Sequence, residues 1–232
     1  FPVSIDTMRF EALARSEVVR QRSEAFRKRL GTSRKVMLGV DRLDYTKGID
    51  IRLQAYRELL GSPGACLEDC VLVQVAVPSR EQVPAYQALR SDIEQLVGRV
   101  NGDHGGPGWV PVTYLYRTLP FEEVIAYYVA ADVMLVTPLR DGMNLVAKEY
   151  AATRINDDGA LILSEFAGAA EQLRAAVIVN PYDIDSVAES IERATTMSPR
   201  EQRNRMRRLR RSVRQSDVFE WARACLATLE DL

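Results

Sequence analysis

The chain has 232 residues, of which 31 are Lys or Arg and 32 are Asp or Glu, so its formal net charge is −1. This length can bury a large core, as one large domain or as two small ones. The balanced charge favours neither a nucleic-acid nor a membrane partner, and no apolar run approaches the ~20 residues of a membrane-spanning helix. The N-terminus resembles no signal peptide and lacks an initiator Met, so we expect a piece of a longer protein.

Cysteine and histidine are scarce. The three cysteines, Cys66, Cys70 and Cys225, cannot all pair with one another, and His104 is the only histidine. A metal site would need further Cys or His ligands, so we expect reduced thiols in the cytoplasm and no metal. His104 lies in the Gly-rich segment 101–108, which predicts a flexible loop. A lone loop histidine without a paired carboxylate is expected to face solvent rather than act as a base.

Six short apolar segments alternate with amphipathic stretches along the chain. Their composition is typical of strands buried on both faces of a parallel sheet. The alternation with helices predicts an α/β fold with a doubly wound, six-stranded, Rossmann-like parallel sheet. The sequence contains neither the Gly-rich dinucleotide fingerprint nor a P-loop, so nicotinamide-dependent dehydrogenases and P-loop NTPases lose their main signature. The predicted strands are residues 36–40, 71–77, 112–116, 132–136, 160–164 and 176–180.

Helices are predicted at both ends of the chain. Asp6 or Thr7 is a candidate cap for one helix over residues 9–30, with Gly31 as its stop. Residues 199–230 are also predicted to be helical. They include a dense run of arginines without interleaved aromatics, for which a solvated helix face is favoured over nucleic-acid binding. The run consists of Arg203, Arg205, Arg207, Arg208, Arg210, Arg211 and Arg214.

Three polar turns follow predicted strands. In a parallel sheet they would meet at the edge formed by the carboxyl ends of the strands, where ligands bind. Arg42 and Lys47 lie in the first turn, Arg80 lies in the second, and residues 137–149 add a carboxylate and a helix start. The free N–H groups of a helix start favour an anion, usually a phosphate. The three turns therefore predict a site for a nucleotide diphosphate with a sugar attached.

These turns resemble motifs of trehalose-6-phosphate synthases, which are retaining glycosyltransferases of the two-domain GT-B architecture. Residues 41–48, Asp-Arg-Leu-Asp-Tyr-Thr-Lys-Gly, match the diphosphate motif of that family without a gap. Residues 140–149, Arg-Asp-Gly-Met-Asn-Leu-Val-Ala-Lys-Glu, resemble its donor-sugar motif, and the segments 78–80 and 164–170 are also similar. The resemblance covers nearly the whole chain. It implies the C-terminal, donor-binding half, with residues 1–5 as the interdomain linker.

The resemblance assigns roles to individual residues. Arg42 and Lys47 would be the catalytic residues that stabilise the leaving diphosphate, and Arg80 would hold the acceptor phosphate. Asp141 would bind glucose hydroxyls, and Glu149 would bind the ribose hydroxyls. The remaining expected donor-binding residues are Leu119, which would contact the base, and Gly142, Met143, Asn144, Leu145, Val146, Ala147 and Lys148 around the helix start.

The implied reaction is glucosyl transfer from UDP-glucose, or another nucleotide-glucose, to glucose 6-phosphate, which gives trehalose 6-phosphate. No cofactor or metal is implied, because Arg and Lys supply the charge that a metal would otherwise provide. The predicted organisation is a linker and leading helix at 1–34, a nucleotide-sugar-binding domain at 35–198 and C-terminal helices at 199–232. Without the missing N-terminal domain, the chain is expected to bind donor but not to synthesise product. An apolar surface near Trp221 would favour homo-oligomers.

Two alternatives stay open. A sister transferase, such as a glucosylglycerol-phosphate or pseudo-disaccharide-phosphate synthase, would share the donor site and use another acceptor. A non-catalytic nucleotide-sugar-binding or scaffold module would keep the fold without the reaction. The charged residues Arg42, Lys47, Asp141 and Glu149 are all in place, which argues against the second alternative.

Overall fold

A parallel β-sheet forms the centre of the molecule. The computed structural model describes residues 1–62 and 69–230, so Cys66 lies outside the described residues. In this part of the chain the sheet has six strands in the order β3-β2-β1-β4-β5-β6, and every neighbouring pair is parallel. The predicted doubly wound α/β fold is confirmed. The strands are β1 (Lys35–Arg42), β2 (Cys70–Val77), β3 (Val112–Tyr116), β4 (Val133–Val136), β5 (Ala160–Ser164) and β6 (Val177–Val179).

Helices cover both faces of the sheet. On one face, α1, α2, α5, α6 and α8 pack against one another, and on the other face α3 packs against α4 and α7. Across the described ranges, no helix has the length and apolar character needed to cross a bilayer. The helices are α1 (Thr7–Arg15), α2 (Glu17–Leu30), α3 (Ile49–Gly61), α4 (Pro84–His104), α5 (Phe121–Ala130), α6 (Leu145–Thr153), α7 (Ile184–Thr196), α8 (Pro199–Gln215) and α9 (Val218–Glu230).

The core consists of two apolar clusters, one on each side of the sheet. Successive residues of a strand point to opposite faces, so β1 contributes Leu38 to the first cluster and Met37 to the second. Both side chains are fully buried. This explains why the strands read as nearly continuous apolar runs in the sequence.

The prediction of a single helix near the N-terminus is wrong, because the structure has two helices there. Ser16 separates them: its backbone is extended (φ −65°, ψ 144°), and its hydroxyl accepts a hydrogen bond from an N–H in the first turn of α2. Serine favours such a cap over a helix interior, because its hydroxyl competes for backbone groups. The cap Asp6 and the stop Gly31, which has a φ of 99°, are confirmed.

The predicted flexible loop at 101–108 is helical in its first half. The Asn101 side chain accepts a hydrogen bond from the Val112 N–H (2.8 Å) and donates one to the Val112 carbonyl (2.9 Å), which fixes the end of α4 to β3. His104 is therefore the last residue of α4 and is only partly exposed. Because α4 returns from the carboxyl edge of the sheet, His104 lies near the amino edge, away from the predicted site.

The arginine run forms α8 and is more than a solvated face. Arg210 is buried and pairs with Glu11 on α1 and with Asp157, which follows α6. These pairs connect α8 to two other elements of the same layer. Partial burial pulls the pKa of Asp157 upward, but the hydrogen bonds and charges of its arginine partners lower it overall. The other ion pairs of the run are Arg205–Glu201, Arg207–Asp157 and Arg214–Glu11.

The last helix, α9, leaves apolar side chains in contact with solvent. None of its described residues is buried, and Phe219, Leu226 and Leu229 are each more than half exposed. Trp221 is only partly covered, and lines a small cavity with Phe1. The predicted apolar surface near Trp221 is thus present, and self-association through it stays a prediction.

Candidate functional site

A cleft opens at the carboxyl edge of the sheet, between β1 and β4. The strand order reverses at this pair, and doubly wound folds bind their ligands at such a switch point. The cleft has a volume of about 560 Å³. It is lined by Val40, Asp41, Arg42, Lys47, Val77, Val124, Tyr128, Asp141, Met143, Asn144, Leu145, Val146 and Glu149.

The turns after β1 and β4 are joined to each other. The Leu139 N–H donates to the Thr46 carbonyl at 2.8 Å. Gly48 has a φ of 60°, and a Cβ at this position would lie 2.3 Å from the Thr137 carbonyl oxygen. Only glycine allows both the left-handed backbone and this close approach. The two turns that the sequence placed at one edge therefore form one wall.

Lys47 and Asp141 form an ion pair within this wall. The Lys47 ammonium lies 2.6 Å from Asp141 Oδ2, and both side chains are largely shielded from solvent. Asp141 also accepts hydrogen bonds from the Asn144 side chain (3.1 Å) and the Met143 N–H (3.4 Å). The sequence predicted separate roles for Lys47 and Asp141, and their direct contact was missed. A carboxylate offers about four acceptor sites, so Asp141 keeps capacity for a ligand hydroxyl.

Asn144 starts helix α6 in a conformation suited to anion binding. It has a φ of 71°, which Asn tolerates better than most residues. Its side chain accepts a hydrogen bond from the Ala147 N–H at 3.3 Å. The first N–H groups of a helix have no carbonyl partner within the helix. The N–H of Ala147 is capped by Asn144, whereas Leu145 and Val146 both line the cleft and keep N–H groups that have no partner within the helix.

Arg42 and Glu149 stand at different depths of the cleft. Arg42 ends β1 and is exposed at the mouth. Glu149, one turn into α6, accepts a hydrogen bond from the Tyr128 hydroxyl at 2.9 Å. Burial raises the pKa of Glu149, and the Tyr128 hydrogen bond opposes that rise. Tyr128 was not among the predicted site residues, and its hydroxyl, which contacts Oε2, leaves Glu149 Oε1 for another partner.

Lys148 does not reach the cleft. Its ammonium is buried and donates a hydrogen bond to the Val3 carbonyl at 2.9 Å. Burial lowers the pKa of Lys148 to about 8. Residues that follow one another on a helix point about 100° apart, and here Lys148 contacts the N-terminal segment while Glu149 lines the cleft. The donor-binding role expected for Lys148 does not fit this geometry.

Three further predicted donor contacts are also absent from the cleft lining. Leu119 is buried in the apolar cluster of its layer. Ala147 is buried, and the Asn144 side chain takes its N–H. Gly142 is exposed on the outside of its turn. Arg80, predicted for the acceptor, follows β2 at the same edge of the sheet and also lies outside the lining.

The segment after β5 supports the turn at 141–143. Gly168 and Ala169 donate backbone hydrogen bonds to the carbonyls of Asp141 (3.0 Å) and Met143 (2.8 Å). Gly168 approaches so closely that a Cβ there would lie 2.1 Å from the Gly142 carbonyl oxygen. The small residues of this segment, which is similar to the family's, thus pack against the turn. They belong to a 3-10 helix, Gly168–Glu171.

A buried ionic cluster lies beneath the cleft. Arg52 on α3 is fully buried and pairs with Asp41 at 2.7 Å. It also donates to the side chains of Gln74 (2.7 Å) and Thr137 (3.2 Å). The sequence reasoning missed this cluster. Gln74 was its signal, as the one polar residue within an otherwise apolar predicted strand.

These features define the class of domain. A doubly wound sheet, cations at its switch point and a helix start directed at the same space are typical of domains that bind phosphorylated nucleotides. In the described ranges, no group of three or more His, Cys, Asp or Glu side chains is arranged to hold a metal ion.

Comparison with known proteins identifies the family. The model of glycosyltransferase family 20 matches residues 1–231, and the chain belongs to this family. It is 56% identical over 229 residues to a trehalose-6-phosphate synthase of Mycolicibacterium smegmatis, an alignment that covers 99% of this chain and 46% of that protein. The predicted resemblance to trehalose-6-phosphate synthases is confirmed. The chain spans about half the length of the curated relatives it matches.

Solved structures show the same fold. An alpha,alpha-trehalose-phosphate synthase (UDP-forming) from Burkholderia xenovorans, in complex with glucose-6-phosphate, is 36% identical with a TM-score of 0.94, covering 99% of this chain and 51% of that one. A structure from E. coli, bound with UDP-2-fluoro glucose, is 36% identical with a TM-score of 0.91 at the same coverage. The sheet is thus that of the GT-B glycosyltransferases.

Proposed function

We propose that this chain is the donor-binding half of a retaining glucosyltransferase. The enzyme would transfer glucose from UDP-glucose, or another nucleotide-glucose, to glucose 6-phosphate and release trehalose 6-phosphate. Support comes from the trehalose-6-phosphate synthases among its relatives and from their complexes with glucose-6-phosphate and UDP-2-fluoro glucose. One observation carries the proposal: Arg42, Lys47 and the start of α6 face the same cleft at the switch point of the sheet.

The diphosphate would lie between the cations and the helix start. Arg42 at the mouth and Lys47 in the wall would neutralise its charge, and the N–H groups of Leu145 and Val146 would donate to its oxygens. Charge on the leaving phosphate grows as the glycosidic bond breaks, so donors fixed in advance lower the barrier. The ion pair with Asp141 holds the Lys47 ammonium in place before the donor arrives.

The sugars would occupy the two sides of the diphosphate. Asp141 would accept hydrogen bonds from glucose hydroxyls through acceptor sites that its protein partners leave open. Glu149 would accept from the ribose through Oε1, because Tyr128 occupies Oε2. Arg80, at the neighbouring strand end, would hold the phosphate of the acceptor with its planar guanidinium.

The acceptor pocket would be completed by an N-terminal domain, of which residues 1–34 would form the connection. The chain by itself is expected to bind UDP or UDP-glucose without appreciable synthesis. Holding both reactants in one geometry can contribute ~7–11 kcal/mol to lowering the barrier, and half of the enzyme cannot supply that. A coupled UDP-release assay on this chain, with and without glucose 6-phosphate, tests this; acceptor-dependent turnover at a normal enzymatic rate would contradict it.

Calorimetry with UDP tests the donor site directly. Arg42→Ala and Lys47→Ala should each weaken binding about tenfold or more, because a charge-assisted contact contributes roughly 1.5–3 kcal/mol. Arg99→Ala and Lys28→Ala remove the same residue types from exposed helix positions far from the cleft and should leave the affinity unchanged. Equal UDP affinity in the parent and in both cleft variants would refute the assignment.

A further inference from the structure

Arg80 is held in an unusual backbone conformation. Its φ is 50°, in the left-handed region that few residues other than glycine and asparagine adopt. Such a conformation is energetically unfavourable and persists only where surrounding contacts enforce it. One of these contacts is the hydrogen bond from the Val83 N–H to the Arg80 carbonyl, at 2.9 Å. The turn after β2 is therefore built to present this arginine at the edge of the sheet.

The Arg80 side chain is tied to Tyr86. Its Nη1 donates to the Tyr86 hydroxyl at 2.8 Å, and its guanidinium lies 5.4 Å from the centre of the Tyr86 ring. Tyr86 is buried in the first turn of α4, so its ring has a fixed position. A guanidinium has five N–H donors. After the bond to Tyr86, four remain for a ligand, including a pair suited to a phosphate.

Tyr86 also contacts the turn that carries Lys47. The Tyr86 hydroxyl donates to Asp44 Oδ2 at 3.0 Å. Asp44 Oδ1 accepts from the Thr46 N–H (2.9 Å) and the Thr46 hydroxyl (2.7 Å), which caps the short helical turn Tyr45–Lys47. Partial burial pulls the pKa of Asp44 upward, but the hydrogen bonds from Thr46 and Tyr86 and the charge of Arg42 lower it overall. Asp44 is thus ionised at neutral pH and acts as a strong acceptor.

We propose that Tyr86 is a positioning residue that orders Arg80 for the acceptor phosphate and couples it to the donor turn through Asp44. The inference rests on the proposed function, because it takes Arg80 as the acceptor contact. Arg80 is exposed, and a free arginine side chain loses rotamer entropy when it becomes fixed. Tyr86 and Asp44 restrict Arg80 before the acceptor binds, so the phosphate meets an oriented guanidinium. Through its contact with Asp44, the same hydroxyl also fixes the position of Arg80 relative to Lys47.

The test removes only the hydroxyl. In the full-length protein that contains this chain, Tyr86→Phe keeps the ring beneath the guanidinium and breaks both hydrogen bonds. We expect KM for glucose 6-phosphate to rise about fivefold to tenfold, the usual effect of losing one hydrogen bond, which here is the bond that orients Arg80. KM for UDP-glucose and kcat should change by less than about twofold, because the Thr46 hydrogen bonds to Asp44 remain. In an Arg80→Ala background, Tyr86→Phe should have no further effect on KM for glucose 6-phosphate.

Tyr127→Phe is the matched control. It likewise removes a tyrosine hydroxyl that contacts a carboxylate, at 2.9 Å from Glu123, on α5 and outside the cleft lining. It should leave both KM values unchanged. An unchanged KM for glucose 6-phosphate in Tyr86→Phe would overturn the inference, and so would an equal rise for both substrates or a rise that persists without Arg80. If the parent protein shows no UDP release that depends on glucose 6-phosphate, the proposed function fails and this inference fails with it.

Discussion

The contact between Gly168 and the turn at 141–143 makes a single methyl group a severe perturbation. In Gly168→Ala the added Cβ would lie 2.1 Å from the Gly142 carbonyl oxygen and 2.9 Å from its carbon. Real Cβ atoms do not approach closer than 3.0 Å, so the two backbone segments must separate by about 0.9 Å. Gly168 does not have a positive φ, so alanine can adopt its backbone conformation. The collision is therefore the destabilising effect of the substitution.

The loss of stability in Gly168→Ala follows from the strain and the hydrogen bonds that this separation affects. Forcing extra volume into a packed site costs about 1–3 kcal/mol. A displacement of this size also stretches the hydrogen bonds from Gly168 to Asp141 and from Ala169 to Met143 beyond bonding distance. We therefore expect the free energy of unfolding to fall by about 1–3 kcal/mol. UDP affinity should fall about tenfold, since misplacement by ~1 Å strongly weakens a pre-formed site.

Urea denaturation and calorimetry with UDP measure the two effects on the chain as it stands. Gly98→Ala is the control, because a Cβ at Gly98 meets nothing within 4 Å. In the interior of α4, that change should stabilise the chain by about 0.5–1 kcal/mol without altering UDP affinity. If Gly168→Ala binds UDP as tightly as the parent, the segment after β5 does not hold the donor turn in place.

Three further changes address the cleft and its base. Glu149→Gln should discriminate less well than the parent between UDP and its 2′,3′-dideoxyribose analogue, because an amide accepts hydroxyl hydrogen bonds more weakly than a carboxylate; equal preference by calorimetry would exclude Glu149 as the ribose ligand. The single variant Lys47→Ala should weaken UDP binding more than the double variant Lys47→Ala/Asp141→Asn, since the single variant leaves the Asp141 carboxylate unpaired and facing the diphosphate. Weaker UDP binding by the double variant would contradict this. Arg52→Met should lower the free energy of unfolding by about 3–5 kcal/mol, because it strands a buried carboxylate; a loss below about 1 kcal/mol in urea would refute that account.

The strands could be predicted because their signal is local. A strand covered on both faces must be apolar along its whole length, so residues 71–77 already indicate β2 (Cys70–Val77). The signal of the helix cap Asp6 is equally local, since its side chain accepts from an N–H three residues away. The family could be predicted from motif resemblance, because residues 41–48 and residues 140–149 each match a family motif without a gap.

Contacts between distant residues could not be read from the sequence. The extension of α4 depends on Asn101 meeting Val112, which requires β3 to be in place. The donor-binding role predicted for Lys148 does not fit the structure for a different reason. The donor motif was taken as nine consecutive contacts, Asp141 to Glu149, whereas a helix turns each successive side chain by about 100°. The burial of Ala147 and Lys148 follows from that rotation once α6 is known to start at Leu145.

The position of the cleft has a physical cause in the strand ladder. β1 pairs with β2 along eight residues, but with β4 it pairs only Met37 with Val133 and Leu38 with Met134. Beyond Leu38 the two strands no longer hydrogen-bond to each other, which opens the cleft at the switch point. Arg52 spans this opening from below, because it contacts Asp41 on β1 and Thr137 beyond β4. Here a buried cation replaces the missing backbone hydrogen bonds, so the turns after β1 and β4 stay joined although their strands have parted.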